Sequence, residues 1–181
     1  MKGLLVLSNH VEDGEALFTL ALLRRANLDV TTVTFQETLN IHTAFGQHVQ
    51  ADVHFKDIDL DAYGFLVIPG GKYVAEIIEN DENITSLAHQ FHQKEKLICA
   101  ICAGPRFLGR AGILDNRSFT CYPGSEIDMP KGKYLKNQKV VIDQHIITAR
   151  SAGAVYEFAH AITKKLLGEQ KAQHLYESIL Y

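Results

Sequence analysis

The amino-acid sequence predicts a three-layer α/β/α sandwich built on a mainly parallel β-sheet. Three observations point there. Lys2–Leu7, Phe65–Ile68 and Leu97–Ile101 are apolar runs without alternation, the pattern of strands covered on both faces. Helical periodicity fills the stretches between them and gives the strand–helix rhythm of parallel crossovers. Pro69-Gly70-Gly71 and Gly104-Pro105 fall directly after two of these strands, where an α/β chain turns from sheet towards helix. The chain has 181 residues and no repeat, linker or low-complexity segment. The expectation is one domain over residues 1–181.

In chain order, Lys2–Leu7 is the first strand. Asp13–Ala26 reads as a helix, with Asp13 or Asn9 as its cap and Arg24-Arg25 at the end that favours positive charge. Val30–Phe35 alternates and is rich in β-branched residues, so it is a second strand. Asn40–Phe55 holds short β-like pieces around Gly46 and reads as a hairpin. Strand Phe65–Ile68 is followed by helical Val74–Glu79 and Ile84–Lys94, then by strand Leu97–Ile101. Gly104–Gly112 is a helix with Gly112 near its C-cap. Ser118–Cys121 is a short strand, and Lys131–Lys139, with four lysines, reads as a solvated loop. Val140–Ile142 and His145–Thr148 pair around Asp143-Gln144. Ala154–Leu167 is a periodic helix ending at Gly168, and Ala172–Ile179 is the last helix. The run Ala16–Leu23 is apolar on every side, whereas a helix covering a sheet needs only one apolar stripe. Its surplus face can meet another element of the chain or a second copy across a two-fold axis; a homodimer involving this first helix is the expected assembly.

Composition narrows the function classes. Hydrophobic residues make up 46% and the net charge is −3, so no basic excess awaits a phosphate backbone and nucleic acid is not an expected partner. No apolar run reaches the ~20 residues of a membrane span, and a membrane is not expected either. Met1–Ser8 is apolar but brief and lacks a small-residue cleavage site, so it reads as a strand and not a leader. Three cysteines at irregular spacing fit free thiols in a reducing compartment, and the cytoplasm is the expected location.

The segment Lys96–Pro105 carries most of the chemistry. A buried strand runs into Ala100-Ile101-Cys102-Ala103-Gly104 and then a helix, the pattern of a nucleophile elbow. Such a turn lifts Cys102 above the C-terminal edge of the sheet, where open α/β sheets bind ligands. The following helix aims N–H groups at the sulfur, which favours thiolate over thiol. Cys99, inside the strand, reads as a buried inert cysteine. Gly70 and Gly71 end another strand; the Gly71 N–H together with the Ala103 N–H could form an oxyanion hole. Glu12, Asp13 and Glu15 all follow the first strand. Glu15 directly precedes the apolar run and is the one expected to be partly buried, with a raised pKa and a proton to share with the thiolate; an ordinary first-turn acid stabilised by the helix dipole is the equal alternative. No histidine pair has metal-ligand spacing with a third ligand: His89 and His92 share a helix face and nothing joins them. Gly70-Gly71-Lys72 lacks the other residues of a phosphate-binding loop. Neither metal nor cofactor is expected.

Together these residues resemble the ThiJ/PfpI family, over nearly the whole chain. The most specific piece is Ala100–Pro105. Leu66–Gly71, Glu15 with Arg24-Arg25-Ala26, and Ile147–Arg150 before Tyr156–Ala159 support it. The resemblance implies a flavodoxin-like sandwich, usually homodimeric. It matches Cys102 to an oxidation-prone nucleophile, Glu15 to the acid that hydrogen-bonds the sulfur, and Gly70, Gly71 and Ala103 to backbone donors. Arg25 and Arg150 match positions near the site or the dimer contact. Two departures stand out. Members often place a histidine in a Thr-His-Pro context, where this chain has Thr120-Cys121-Tyr122-Pro123. Tyr122, with a pKa near ~10, is a poor base and a better hydrogen-bond donor. Ser151-Ala152-Gly153-Ala154 replaces a Gly-Pro-Gly-Thr type of loop. His10, in the loop after the first strand, is the other histidine positioned to reach the site.

The resemblance implies a glyoxalase- or deglycase-like enzyme on small reactive carbonyls, with thiolate Cys102 as nucleophile, Glu15 as proton shuttle and no cofactor. The alternative is a redox-sensing or chaperone-like stress protein that responds to an oxidant through Cys102, with Cys121 as a resolving thiol. A peptidase or glutamine amidotransferase fits less well, since His174 and Glu177 are three apart in the terminal helix and not in a His-x-Glu pair.

Overall fold

Burial on both faces decides the sheet: Leu4, Leu5, Val6, Phe65, Leu66, Val67, Ile68 and Leu97–Ile101 are all buried. A computed structural model describes residues 1–181. β1 (Lys2–Val6) leads through a π-helical turn, Gly14–Phe18, into α1 (Thr19–Arg25). β2 (Asp29–Thr34) is followed by a hairpin of β3 (Asn40–His42) and β4 (His48–Gln50), and by β5 (Val53–His54). β6 (Phe65–Ile68), α2 (Lys72–Ile77), α3 (Asn83–Gln93), β7 (Leu97–Ile101) and α4 (Pro105–Arg110) come next. β8 (Ser118–Phe119), β9 (Lys133–Tyr134), β10 (Val140–Asp143), β11 (Ile146–Ala149), α5 (Val155–Leu167) and α6 (Glu169–Ser178) complete the chain.

The seven-stranded sheet has the order β10-β11-β7-β6-β1-β2-β5. All its pairings are parallel except β10 with β11. Strands β2-β1-β6-β7-β11 reproduce the 2-1-3-4-5 order of flavodoxin-like folds, with the direction of winding reversing between β1 and β6. α1, α5 and α6 pack together over β2, β10 and β11; α3 and α4 form the other layer against β6 and β7. The expected three-layer α/β/α sandwich is therefore the observed architecture. One cluster of 48 buried residues runs through it.

Two elements differ from expectation. The first helix is not one α-helix from Asp13: a π turn precedes α1, and neither Asp13 nor Asn9 caps it. Both side chains hold the β3–β4 region instead. Asp13 accepts from the Thr43 hydroxyl at 2.5 Å and the Phe45 N–H at 3.0 Å, and Asn9 accepts from the His42 N–H at 2.9 Å. The cap falls to Glu12, whose carboxylate accepts from the Glu15 N–H at 2.6 Å. Second, the lysine-rich stretch is not only loop, because Lys133-Tyr134 pairs in parallel with Ser118-Phe119. The surplus apolar face of the first helix is partly covered from within the chain: Phe18 meets Tyr156 edge-on, with centroids 5.0 Å apart, and stays 37% exposed.

Beneath the C-terminal edge of the sheet, the buried Phe107 of α4 stacks against Tyr73 of α2, with centroids 6.0 Å apart. The Tyr73 hydroxyl donates to the Pro69 carbonyl at 2.7 Å, so this pair braces the turn after β6. Phe107→Ala is expected to cost about 3–5 kcal/mol through the cavity it leaves. In urea unfolding the midpoint should fall with the slope unchanged; an unaltered midpoint would remove the brace.

Candidate active site

Three strand ends converge where the sheet order reverses. Cys102 directly follows β7 and adopts φ +62°, a left-handed conformation that costs a non-glycine residue about 1–3 kcal/mol and persists only where the surroundings over-determine it. They do so here. The Cys102 N–H donates to the Ala149 carbonyl at 2.9 Å, and its carbonyl accepts from the Tyr122 N–H at 2.8 Å. The nucleophile elbow expected from small-x-Cys-x-Gly is present.

Glu15 arrives from the end of β1. The π turn accommodates one residue more than an α turn, and Glu15, within it, is 1% exposed. Its Oε2 accepts from the Gly70 N–H at 2.9 Å, and the backbone N–H of Ala152 lies near enough to favour the charged carboxyl. Gly70 is the point of closest approach. A Cβ there would lie 2.6 Å from Glu15 Oε2, 2.7 Å from Cys102 Cβ and 2.9 Å from the Ala103 nitrogen. Of the three acids after β1, Glu15 faces the cysteine, while Glu12 caps the π turn and Asp13 ties down the β3–β4 hairpin.

Burial acts on both members of the pair and opposes the charge of each. Burial pushes the Glu15 carboxyl from 4.5 up to about 7, with the charge of Glu12 adding and the Cys102 thiol and the two N–H donors opposing. Burial, followed by the Glu15 charge, pushes the Cys102 thiol well above its ordinary value; the Ala103 N–H works the other way and loses. The helix after the elbow is six residues long; its N-terminal field favours the thiolate, and the desolvation of sulfur beside a carboxylate opposes it. Glu15, facing the thiol with its own carboxyl pushed up, is the group placed to exchange a proton with the sulfur.

Gly71 has φ +127°, and a Cβ there would sit 2.4 Å from the His10 carbonyl oxygen. The Gly71 and Ala103 N–H groups donate to no oxygen of the protein, whereas the Gly70 N–H is committed to Glu15. Gly70 is thus a backbone donor that holds the acid, while the N–H groups of Gly71 and Ala103 stay free. Tyr122 contributes its N–H to the elbow, but its side chain is 53% exposed. The His10 ring pairs with Glu76 at 2.8 Å on the surface. Arg25 donates to the Ser178 carbonyl at 3.1 Å, at the α6 end of the molecule and not at Cys102. Arg150 directly follows Ala149 and lines a cleft of about 540 Å³ with Tyr122 and Ser151. Cys99 and Cys121 are buried free thiols; burial pushes Cys121 up to about 12, which leaves little thiolate for a resolving role. No three His, Cys, Asp or Glu side chains gather as a metal ion would need. Sequence reasoning missed the Ala152 donor and the cleft-lining Tyr134 and Lys136, because nothing in their local sequence marks them as neighbours of the elbow.

Residues 1–165 match the DJ-1/PfpI family. The chain is 27% identical to Protein dj-1beta of Drosophila melanogaster over 179 residues, covering 98% of this chain and 96% of that protein. The crystal structure of that relative superposes with a TM-score of 0.91 over 99% of this chain and 97% of the other. Deglycase PfpI of Pyrococcus furiosus is 29% identical over 167 residues, 92% of this chain and 99% of that one. The structure of oxidized Toxoplasma gondii DJ-1 aligns at 25% identity with a TM-score of 0.90, over 99% and 98% of the two chains.

A carboxyl whose folded pKa lies above its unfolded value stabilises most at low pH and loses that contribution as pH rises through both values. For Glu15 the window runs from 4.5 to about 7 and is worth about 3 kcal/mol. Glu15→Gln should therefore unfold at higher denaturant than wild type at pH 8 and at a similar concentration at pH 4. Equal stabilities at pH 8 would mean that Glu15 is not strained by its burial.

Proposed function

The chain belongs to the DJ-1/PfpI family, and from that premise we propose that it is a cofactor-independent cysteine enzyme acting on small reactive carbonyls in the glyoxalase or deglycase manner. One observation carries the reading: an acid with a pKa of about 7 faces a thiol held on a strained elbow. A base poised near the working pH is the most effective one. Glu15 takes the Cys102 proton as the sulfur adds to the carbonyl carbon; the C–S bond forms and the C=O π pair moves to oxygen. The Gly71 and Ala103 N–H groups donate to that oxyanion. Glu15 then returns the proton to oxygen and leaves a hemithioacetal. For methylglyoxal, the C1 proton moves to C2 through Glu15 while the C1 hydroxyl proton passes to the C2 oxygen, and water hydrolyses the resulting lactoyl thioester to lactate and the free Cys102 thiol. The deglycase name of the Pyrococcus furiosus relative supports this substrate class. The proposed setting is the cytoplasm, and the proposed assembly is a homodimer through the exposed part of the first helix around Phe18.

A second reading, reversible oxidation of Cys102, is favoured by the same acid. Protonated Glu15 can donate to an oxygen added to sulfur, and the Toxoplasma gondii neighbour is described in oxidized form.

Lactate release from methylglyoxal tests the first reading. Wild type should form lactate, with kcat/KM rising through about pH 7 as Glu15 ionises. Cys102→Ser should abolish turnover, and Glu15→Gln should lower kcat by about 10²–10⁴-fold and remove the rise. No lactate from wild type, with a peroxide-dependent gain of oxygen confined to Cys102, would transfer the assignment to the redox reading.

A further inference from the structure

A cleft of about 540 Å³ opens beside the elbow, lined by Tyr122, Glu126, Tyr134, Lys136, Arg150 and Ser151 among others. The segments that wall it are the ones that hold Cys102. The Tyr122 N–H donates to the Cys102 carbonyl, and the Ala149 carbonyl, one residue before Arg150, accepts the Cys102 N–H. Ala152, next to Ser151, sets its backbone N–H near the Glu15 carboxyl. Lys136 and Arg150 come from different parts of the chain and meet on this cleft. Neither joins an ion pair, the salt bridges of the molecule being made by other cations. The one acid of the lining, Glu126, accepts from the Gly124 N–H at 2.6 Å. Ligand pockets of about 300–1,000 Å³ suit molecules well beyond three carbons, so the cleft has room for more than a reacting carbonyl.

We propose that this cleft is the recognition site for an anionic group, a carboxylate or a phosphate, on the carbonyl compound delivered to Cys102, with Lys136 and Arg150 as its cationic contacts. The planar guanidinium suits bidentate capture of either anion, and the ammonium adds a mobile point charge. The exposed Tyr122 lines the cleft and joins it to the elbow through its N–H on the Cys102 carbonyl. The inference rests on Cys102 as the carbonyl nucleophile and names the substrate class of that site.

Alkylation of Cys102 tests it without carbonyl turnover, so loss of one reading leaves the other measurable. The rates of anionic iodoacetate and neutral iodoacetamide are compared by mass spectrometry at Cys102, with free cysteine as reference. The iodoacetate preference should exceed that of free cysteine by about fivefold, the effect of one modest charge contact, and should shrink with added salt. Lys136→Gln with Arg150→Gln should return the ratio to the free-cysteine value, and Arg150→Lys should retain most of it. Acetate and inorganic phosphate as competitors separate the two anions: the one that slows iodoacetate at lower concentration identifies the group. A wild-type ratio equal to that of free cysteine, a ratio unmoved in the double variant, or indifference to both competitors overturns the proposal.

Discussion

The whole site depends on one constraint: a carboxyl and a thiol share a space that admits no Cβ at Gly70. Removing both groups from water makes each resist ionisation. Burial raises both the Glu15 carboxyl and the Cys102 thiol, and the charge of Glu15 raises the thiol further, so the two groups share their protons as one coupled unit. On the proposed function, Glu15 serves as the base beside the Cys102 sulfur when a carbonyl sits against the N–H groups of Gly71 and Ala103, which donate to no oxygen of the protein. The coupling also means that neither residue's titration can be read without the other.

The fold supplies the constraint from three directions. β1 delivers Glu15, β6 delivers Gly70 and Gly71, and β7 delivers Cys102, all at the carboxyl ends of adjacent parallel strands. The register pairs Ile68 with Ala100, which sets the height of Gly70 relative to Cys102. The helix layers keep these strand ends from drifting: α4 and α2 pack Phe107 on Tyr73 below them. The strain of φ +62° at Cys102 is held by hydrogen bonds from two further segments, and those segments carry Tyr122 and Arg150 to the cleft.

Local features were legible in the sequence. Apolar strands without alternation, glycine after strand ends and Ala100–Pro105 foretell the sandwich and the elbow. What depends on distant neighbours was not. Three acids follow β1, and the place of Glu15 before the apolar run, with the family resemblance, singles it out; the π turn that buries it is announced by no periodicity. Asp13 looks like a cap, yet a hairpin that comes later in the chain claims its carboxylate. The thiolate expectation counted the helix field, which is local; the desolvation of sulfur by the folded surroundings, which opposes it, is visible only in the structure. Lys136 looks like one more solvated lysine until Arg150 and Tyr134 meet it across the cleft.

The most direct test is the titration of the Glu15 carboxyl carbon, followed by carbon-13 NMR in wild-type protein with Glu15→Gln to assign the resonance. A midpoint near 7, with the sulfur of Cys102 still protonated at that pH, is the predicted result. A midpoint near the ordinary carboxyl value, with thiolate already present below neutrality, would contradict the shared-proton site.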